Sequence, residues 1–389
     1  MSPLIIEIRC HTVPPRWIFV SVTTDDGLTG WGEAIVPKRK SAVLGAVADL
    51  TRGLVGKEAG RIEDHAQAMR KGGFFRRGPI IGTAAASIET ALWDLKGKRA
   101  GMAVHDMLGG PVRETLRSYC WIGGDKPGDV VAHARERIQA GFDAVKMNAT
   151  ASVPTLGAAT AIDELVERMG SLRDAYGMSI DIALDLHGRV PRTVLKQLIR
   201  EIEPFRPMWI EEATLPEAED SAAMLARLCP HIPIATGERL LDRWDFKRLM
   251  TQGGVDIVQP DVSITGLFEL EKIARMAEAF DVAVAPHCPN GPVSLAASLQ
   301  VGFCCANVSI QEQSLGLHYN KGYANLPAAD LLDYLADTAP LGTESGRFAR
   351  PQGPGLGIEI DAEKVASAET DWSLPDAGWR HEDGTFAEW

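Results

Sequence analysis

The sequence predicts an α/β protein: a (β/α)8-type barrel with an α+β N-terminal capping domain and a C-terminal segment that returns to the cap. Strand-like and helix-like segments alternate eight times in the middle of the chain, which is the pattern of a (β/α)8 barrel. The 389 residues exceed the roughly 250 of one barrel by enough for a smaller domain. The regions on either side of the alternating part have different patterns. We therefore divide the chain into residues 1–115, 116–321 and 322–389.

The first 115 residues are predicted to form the capping domain. Residues 4–13 and 17–24 are rich in β-branched and aromatic residues, and Asp26-Gly27 is a hairpin-type turn signal. From Lys40 to about Lys98 the apolar residues recur at helical spacing. Strands followed by helices indicate an α+β unit. We expect its PPRW loop and its GGFFRRGPI segment to form a lid over the barrel.

Residues 116–321 contain eight short apolar runs that end in polar residues. The runs are SYCWIGG, DAVKMN, DIALDLHG, PMWIEE, PIATGE, DIVQPD, VAVAPH and VSIQEQ. Between them lie amphipathic stretches such as PRTVLKQLIREIEP, whose apolar residues recur at helical spacing. Residues 322–389 are richer in proline, glycine and acidic residues and contain one strand-like piece, GLGIEID. We expect this last segment to pack against the capping domain.

Composition and charge argue against several classes of protein. A formal net charge of −12 disfavours binding to nucleic acid or to anionic membranes. No apolar run reaches the roughly 20 residues of a membrane helix, and the N-terminus alternates like a strand and does not resemble a signal peptide. The six cysteines contain no CxxC pair, so reduced thiols are expected. We therefore expect a cytoplasmic protein that acts on a small molecule.

Three acids are predicted at one rim of the barrel. Asp185 ends the third barrel strand, Glu211 the fourth and Glu238 the fifth. The carboxyl ends of the strands form the face where barrel enzymes place their active sites. A single acid at such a position is usually a solvated loop residue, but three in register, without a nearby cysteine, suit a hard divalent cation, Mg²⁺ before Mn²⁺.

Two histidines and two further acids are predicted at the same rim. His187 lies two residues after Asp185, so both side chains should point the same way from the strand. His287 ends the seventh strand and Asp261 the sixth, and a carboxylate beside an imidazole raises its basicity, as a general base requires. Glu312 ends the eighth strand. Its position alone fits either a salt-bridge partner or a protonated acid that hydrogen-bonds an enolate.

The order of these motifs resembles the enolase superfamily in its mandelate racemase branch. The motifs, in chain order, are Asp-x-His, IEE, GER, QPD, APHCPxGP and QEQS. PPRW, DGLTGWGE, GGPVR, LGLHYNKG and WRHEDGTFAEW add to the likeness, which covers essentially the whole chain. Within the branch, the motifs are most similar to those of dehydratases that act on D-galactonate.

The resemblance implies a role for each rim residue. Three carboxylates would hold one Mg²⁺ per subunit: Asp185, Glu211 and Glu238. His287, supported by Asp261, would take the C2 proton of the sugar acid, and His187 would protonate the departing C3 hydroxyl. Glu312 would stabilise the enolate. The implied reaction converts D-galactonate to 2-dehydro-3-deoxy-D-galactonate, and we also expect a homo-oligomer.

Several positions depart from the family pattern. Many members carry Lys-x-Lys on the second barrel strand. In this chain the strand reads Lys146-Met147-Asn148, so the second lysine is replaced by asparagine. This difference agrees with a dehydratase and not with a racemase. The usual proline after the paired glutamates is Ala213, and loop 262–266 lacks the glycine pair of many relatives. Both are expected to border the pocket and to affect the choice of sugar acid. Lys146, Asn148 and Arg16 are candidate substrate contacts.

Other functions are possible on the same barrel. A dehydratase of another aldonic or aldaric acid is the nearest alternative, followed by an acid-sugar epimerase. A metal-dependent aldolase would not need the acid-base pair of histidines. A non-catalytic binding protein would not need the full set of rim groups. The metal triad and both histidines therefore favour a dehydratase.

Overall fold

A three-stranded antiparallel sheet begins the structure. The structure is a computed structural model that describes residues 3–123, 127–218, 221–322, 326–374, 379–381 and 383–388. The sheet consists of β1 (Ile5–Val13), β2 (Trp17–Thr24) and β3 (Thr29–Ala34), in that order. The chain turns between β2 and β3 at Gly27, whose φ of 82° is readily adopted by glycine. This is the turn that the Asp-Gly pair predicted.

Four helices follow the sheet: α1 (Lys40–Leu54), α2 (Ile62–Lys71), α3 (Pro79–Ala100) and α4 (Val104–Met107). The long helix α3 packs closely on β3, since a Cβ atom at Gly32 would lie 1.8 Å from the carbonyl oxygen of Ser87. It begins at Pro79, whose fixed φ suits a first helical turn, and its C-cap is Gly101 in the left-handed conformation. Sheet and helices form the predicted α+β cap.

Eight parallel strands form the barrel, and each overlaps one of the eight predicted runs. They are β4 (Thr115–Trp121), β5 (Ala144–Asn148), β6 (Asp181–Asp185), β7 (Trp209–Glu211), β8 (Ile234–Thr236), β9 (Ile257–Val258), β10 (Ala283–Val284) and β11 (Gln311–Gln313). Neighbouring strands pair in sequence order from β4 to β10, and β11 pairs with β4. A bridge between Val284 and Val308 joins the remaining edges, so the sheet closes and the barrel prediction is confirmed.

Helices surround the barrel strands. They are α5 (Pro127–Gln139), α6 (Ala159–Tyr176), α7 (Arg192–Ile202), α8 (Ser221–Leu228), α9 (Arg243–Gln252), α10 (Val262–Thr265), α11 (Leu267–Glu278) and α12 (Pro292–Cys304). A buried cluster of small and aromatic side chains lies along the strands: Tyr119, Ala144, Ala183, Trp209, Ala235, Ala285 and Ile310. Among the described residues, no helix is both long and apolar enough to cross a membrane.

The C-terminal segment contacts both the cap and the barrel. It contains β12 (Thr343–Glu344) and β13 (Arg347–Ala349), of which β13 pairs with the start of β4, and α13 (Ala362–Ala368). Near α13, the side chain of Thr12 donates to the carbonyl of Thr370 over 2.8 Å. Further on, Trp379 lies over a barrel arginine, Arg189. Residues 323–325, 375–378, 382 and 389 of this predicted segment lie outside the described residues.

Candidate active site

A cavity of about 300 Å³ lies between the carboxyl ends of the barrel strands and the cap. The barrel contributes charged and polar side chains, while the cap contributes Arg16 of the PPRW loop, residues 35–37 and Pro79. The expected lid segments therefore both reach the cavity. Within the GGFFRRGPI segment, however, Phe74 and Phe75 are 93% and 95% exposed and do not border it.

The acids predicted to bind a metal lie on adjacent strands. Asp185 and Glu211 are partners in the register of β6 and β7, and Glu238 follows β8 by two residues. Ligand atoms of Asp185, His187 and Glu238 all lie within 4.8 Å of one another. Glu238 Oε2 is buried and accepts no hydrogen bond from the described residues, although His287 Nε2 lies 3.3 Å away. Buried carboxylate oxygens at this spacing fit a divalent metal site.

Lys146 occupies the centre of the acidic cluster. Its Nζ lies 2.7 Å from Glu211 Oε1, 2.7 Å from Glu312 Oε1 and 3.5 Å from Asp185 Oδ2. Burial alone would lower the pKa of this lysine, but the carboxylates around it raise its pKa well above the ordinary value. Burial raises the pKa of Glu211 to about 8. Among the three carboxylates predicted as ligands, Glu211 is the one paired most closely with this lysine.

The pair His287 and Asp261 is held by a set of hydrogen bonds. His287 Nδ1 lies 2.8 Å from Asp261 Oδ2. Asp261 Oδ1 accepts from the backbone N and the Oγ of Ser263, both at 2.7 Å, and Asn290 Nδ2 donates to both Asp261 oxygens at 3.1 and 3.0 Å. These contacts fix the carboxylate, which in turn fixes the ring and leaves Nε2 facing Glu238.

Opposing effects act on the pKa of His287. Burial would lower it, but Glu238, Glu312 and Asp261 outweigh burial and raise the pKa to about 10. The imidazole therefore lies in a strongly negative environment, where a bound cation would reduce its affinity for a proton.

His187 lies at the end of β6 in a tight turn. Its φ is 50°, and its backbone N donates to Asp185 Oδ1 over 3.1 Å. The ring Nε2 is 2.9 Å from Asp185 Oδ2, so the two side chains point the same way, as their spacing predicted. The ring stacks on Trp121 with 6.2 Å between centroids. Because β6 and β10 lie across the barrel from each other, His187 and His287 approach the cavity from opposite sides.

Glu312 uses both carboxylate oxygens. Oε2 accepts from the backbone N of Cys288 over 2.8 Å, and Oε1 contacts Lys146. The position of Glu312 allowed two roles, a salt-bridge partner or a protonated acid that hydrogen-bonds an enolate. The salt bridge is the one present in this structure. The hydrogen bond from Cys288 also ties Glu312 to the residue that follows His287.

The candidate substrate contacts Arg16, Lys146 and Asn148 all border the cavity. Arg16 donates to the carbonyl of Pro289 over 3.3 Å, and its guanidinium carbon lies 4.2 Å from the centre of the Tyr319 ring. Asn148 Oδ1 is buried and has no hydrogen-bond partner among the described residues. The side chain of Asn148 is thus placed to accept a hydrogen bond from a ligand.

The expectation that Ala213 borders the pocket is wrong. Ile264 of loop 262–266 lines the cavity, but Ala213 does not and instead lines neighbouring surface clefts. The chain turns at Glu212, whose φ is 45°, so the next residue lies on the outer side of the rim. Substitution of the usual proline at this position therefore acts at a distance from the substrate.

Several cavity residues were not predicted from the sequence, among them Arg189, Arg239, His318 and Tyr319. Arg239 Nε lies 3.3 Å from Glu212 Oε2, and its Nη2 donates to the carbonyl of His187 over 2.7 Å. Burial, with a smaller effect from Arg16, lowers the pKa of His318 to about 4. Arg189 and Arg239 could have been predicted from their positions in the sequence, because they lie in the loops directly after β6 and β8.

Comparisons with known proteins agree with this architecture. Residues 4–109 match the mandelate racemase / muconate lactonizing enzyme N-terminal domain, and residues 129–365 match the family described as enolase C-terminal domain-like. A D-galactonate dehydratase of Ralstonia pickettii is 46% identical over 389 residues, which cover 99% of this chain and 100% of the relative. A D-galactonate dehydratase of Pectobacterium atrosepticum is 43% identical with the same coverage.

Solved structures share the whole fold. An enolase from Agrobacterium radiobacter, crystallised with sodium and L-malate, superposes with a TM-score of 0.88 at 27% identity over 100% of both chains. A mandelate racemase/muconate lactonizing enzyme from Jannaschia has a TM-score of 0.84 at 28% identity over 96% of this chain and 99% of the other. Both family matches, the full-length relatives and the shared rim motifs show that the chain belongs to the mandelate racemase branch of the enolase superfamily.

Proposed function

We propose that this protein catalyses the Mg²⁺-dependent dehydration of a sugar acid, converting D-galactonate to 2-dehydro-3-deoxy-D-galactonate. The observation that carries the proposal is the placement of His187 and His287 on opposite strands around one acidic cluster. Such a pair can remove a proton from one carbon of a bound acid and donate a proton to a hydroxyl on the next. Full-length relatives that are D-galactonate dehydratases support the choice of substrate.

His287 is the proposed base. Its Nδ1 is held by Asp261, so Nε2 is left to take the C2 proton of the substrate, and the Asp261 carboxylate stabilises the imidazolium that results. His187 is the proposed acid, since it approaches from the other side of the cavity. Donation of its proton to the C3 hydroxyl lets that group leave as water, and the enol product becomes the 2-keto-3-deoxy acid.

Asp185, Glu211 and Glu238 are the proposed ligands of the cation. The chemistry that Mg²⁺ supplies when bound is Lewis-acid stabilisation of the negative charge that develops on the substrate carboxylate. Lys146 already contacts Glu211 and Asp185, so it offsets part of the charge of these acids. Glu312, which also contacts Lys146, is proposed to stabilise the enolate. In its protonated form, the Glu312 carboxyl would donate a hydrogen bond to the enolate.

We also propose a division of the chain into three parts, a cellular location and an assembly state. Residues 1–115 would act as the cap, 116–321 as the barrel and 322–389 as the segment that joins them. The six free cysteines suit the reducing cytoplasm. A homo-oligomer is the proposed assembly, and light scattering of the purified protein would measure its mass.

Purified protein should be assayed against a panel of aldonic and aldaric acids with Mg²⁺, with detection of 2-keto-3-deoxy products. D-Galactonate is expected to give the highest kcat/KM, and chelation should abolish turnover until Mg²⁺ is returned, because three carboxylates cannot stabilise an enolate by themselves. If a different aldonic or aldaric acid gives the highest kcat/KM, D-galactonate is not the substrate, and the proposed dehydration applies to that acid. Racemisation or epimerisation at C2 without loss of water would refute dehydration altogether.

A further inference from the structure

Arg189 is a buried cation that borders the active-site cavity. It is 7% exposed and follows the proposed acid His187 by two residues. Its Nη1 donates to the carbonyl of Thr150 over 2.9 Å, but its Nε is buried and has no hydrogen-bond partner among the described residues. Within the described ranges, no carboxylate lies at ion-pair distance from it, unlike Arg239, which has Glu212. Burying a guanidinium with donors left over is costly, so these donors are available for a ligand.

Trp379 of the C-terminal segment holds this arginine. The guanidinium carbon of Arg189 lies 5.2 Å from the centre of the Trp379 ring, a distance at which cation–π attraction is effective. Two residues later, His381 Nδ1 lies 3.2 Å from Ser152 Oγ in the loop after β5. The C-terminal segment is therefore attached to the loops of β5 and β6 at the cavity. Since a guanidinium is a planar fork of donors, a ring lying over it restricts the directions in which the donors can point.

We infer that Arg189 is a substrate-binding residue that hydrogen-bonds the distal hydroxyls of the sugar acid, and that Trp379 is a positioning residue for it. This inference rests on the proposed function. In the proposed function, the metal site binds the C1 carboxylate, His287 acts at C2 and His187 acts at the C3 hydroxyl. The remaining carbons must extend from the His187 side of the cavity or towards the cap, and Arg189 is the cation on the His187 side that lacks a carboxylate partner in the described structure.

The test compares substrates that differ only at the distal end. L-Threonate has the same configuration as D-galactonate at C2 and C3 but ends at a C4 hydroxymethyl group, so it lacks the C5 and C6 hydroxyls, which are the distal hydroxyls that Arg189 is inferred to bind. Arg189→Gln should raise KM for D-galactonate by roughly 10- to 100-fold, as expected for loss of hydrogen bonds to a charged donor, with a smaller change in kcat. The inhibition constant of L-threonate should change by less than about 2-fold, because an absent contact cannot be lost.

Matched variants separate binding from folding. Arg192→Gln alters an exposed arginine three residues away and should leave both constants unchanged, while Arg189→Lys should recover only part of the affinity because lysine lacks the planar fork. Trp379→Ala should raise KM by roughly 5-fold, in line with a cation–π contact, and Trp379→Phe should keep most of the wild-type value. Thermal unfolding of each variant verifies that it is folded.

Three outcomes would overturn the inference. The first is an unchanged KM for D-galactonate in a folded Arg189→Gln variant. The second is an equal loss of affinity for D-galactonate and L-threonate, which would place Arg189 at the carboxylate end. A variant that loses D-galactonate but retains a dicarboxylate such as galactarate would equally contradict a role in binding hydroxyls. Failure of the wild-type protein to dehydrate D-galactonate would instead refute the proposed function, before any variant is compared.

Discussion

His187 and His287 differ in what holds them, and this difference predicts different consequences of substitution. His287→Asn should abolish both dehydration and exchange of the C2 hydrogen with solvent, because no other described side chain pairs with Asp261 as an imidazole does. His187→Asn should abolish dehydration but leave exchange, since the intact base can still remove and return the proton. Proton NMR in D₂O with D-galactonate measures both.

The reverse pattern would assign the roles the other way round. Exchange that survives in His287→Asn and disappears in His187→Asn would make His187 the base. His133→Asn is a suitable control, because His133 lies on α5 and its ring contacts the carbonyl of Gly123, away from the acidic cluster. Turnover by both active-site variants would mean that neither histidine is needed.

Glu211 tests the assignment of the metal ligands. Glu211→Gln should lower Mg²⁺ affinity by at least roughly 100-fold, because loss of a direct ligand should cost no less than the 10- to 100-fold that outer-shell substitutions cost. The fold should persist, since Trp209 Nε1 can still donate to the amide oxygen that replaces Oε2. Calorimetric titration with Mg²⁺ measures the affinity. Glu201→Gln, an exposed acid on α7, is the control, and an unchanged affinity in Glu211→Gln would remove Glu211 from the ligand set.

At the scale of single elements, β3 of the cap reaches the barrel through one side chain. Glu33 accepts hydrogen bonds from the backbone N of Gly291 over 2.6 Å and of Ser294 over 3.0 Å, at the start of α12. Asn290, two residues before this helix, donates to Asp261. Glu33 therefore supports, through the N-terminus of α12, the carboxylate that orients the base.

Glu33→Ala should lower both stability and kcat. Two buried backbone N–H groups lose their acceptor, at about 1 to 3 kcal/mol each, and the start of α12, which follows Asn290, loses its support from the cap. Urea unfolding and steady-state kinetics measure the two effects. Glu7→Ala, which removes an exposed acid from β1 of the same sheet, should change neither. A normal kcat in Glu33→Ala would show that α12 holds Asn290 without help from the cap.

The elements also show which parts of the site a sequence can predict. The ends of β6 and β7 could be located because apolar runs end in acids at regular spacing, and pairing of adjacent parallel strands then places Asp185 beside Glu211. The contact of Lys146 with Glu211 and Glu312 could not be located, because it joins three strands and depends on side-chain reach. The same holds for Trp379 over Arg189, since nothing local connects residues so far apart in the chain.

At the scale of the whole molecule, a second buried acid joins cap and barrel. Glu89 on α3 accepts a hydrogen bond from the backbone N of Phe268 on α11 over 2.8 Å, and a Cβ atom at Gly266 would lie 2.1 Å from its Oε2. The joint therefore needs glycine at position 266. Burial raises the pKa of Glu89 to about 7, although Arg70 and Lys272 nearby favour the charged form and Glu269 disfavours it.

The raised pKa of Glu89 predicts how stability depends on pH. The unfolded chain releases this proton near pH 4.5 and the folded protein near pH 7, so between these values the folded state binds more protons and its stability falls as pH rises. Glu89→Gln keeps an acceptor for Phe268 but cannot ionise. The variant should match the wild type near pH 4, below the unfolded-state value, and exceed it at pH 8 by up to about 3 kcal/mol, as measured by urea unfolding across this range. Glu164→Gln, an exposed substitution on α6, should leave the pH dependence unchanged, and an identical pH dependence in Glu89→Gln and wild type would show that this carboxyl ionises at the same pH in both states.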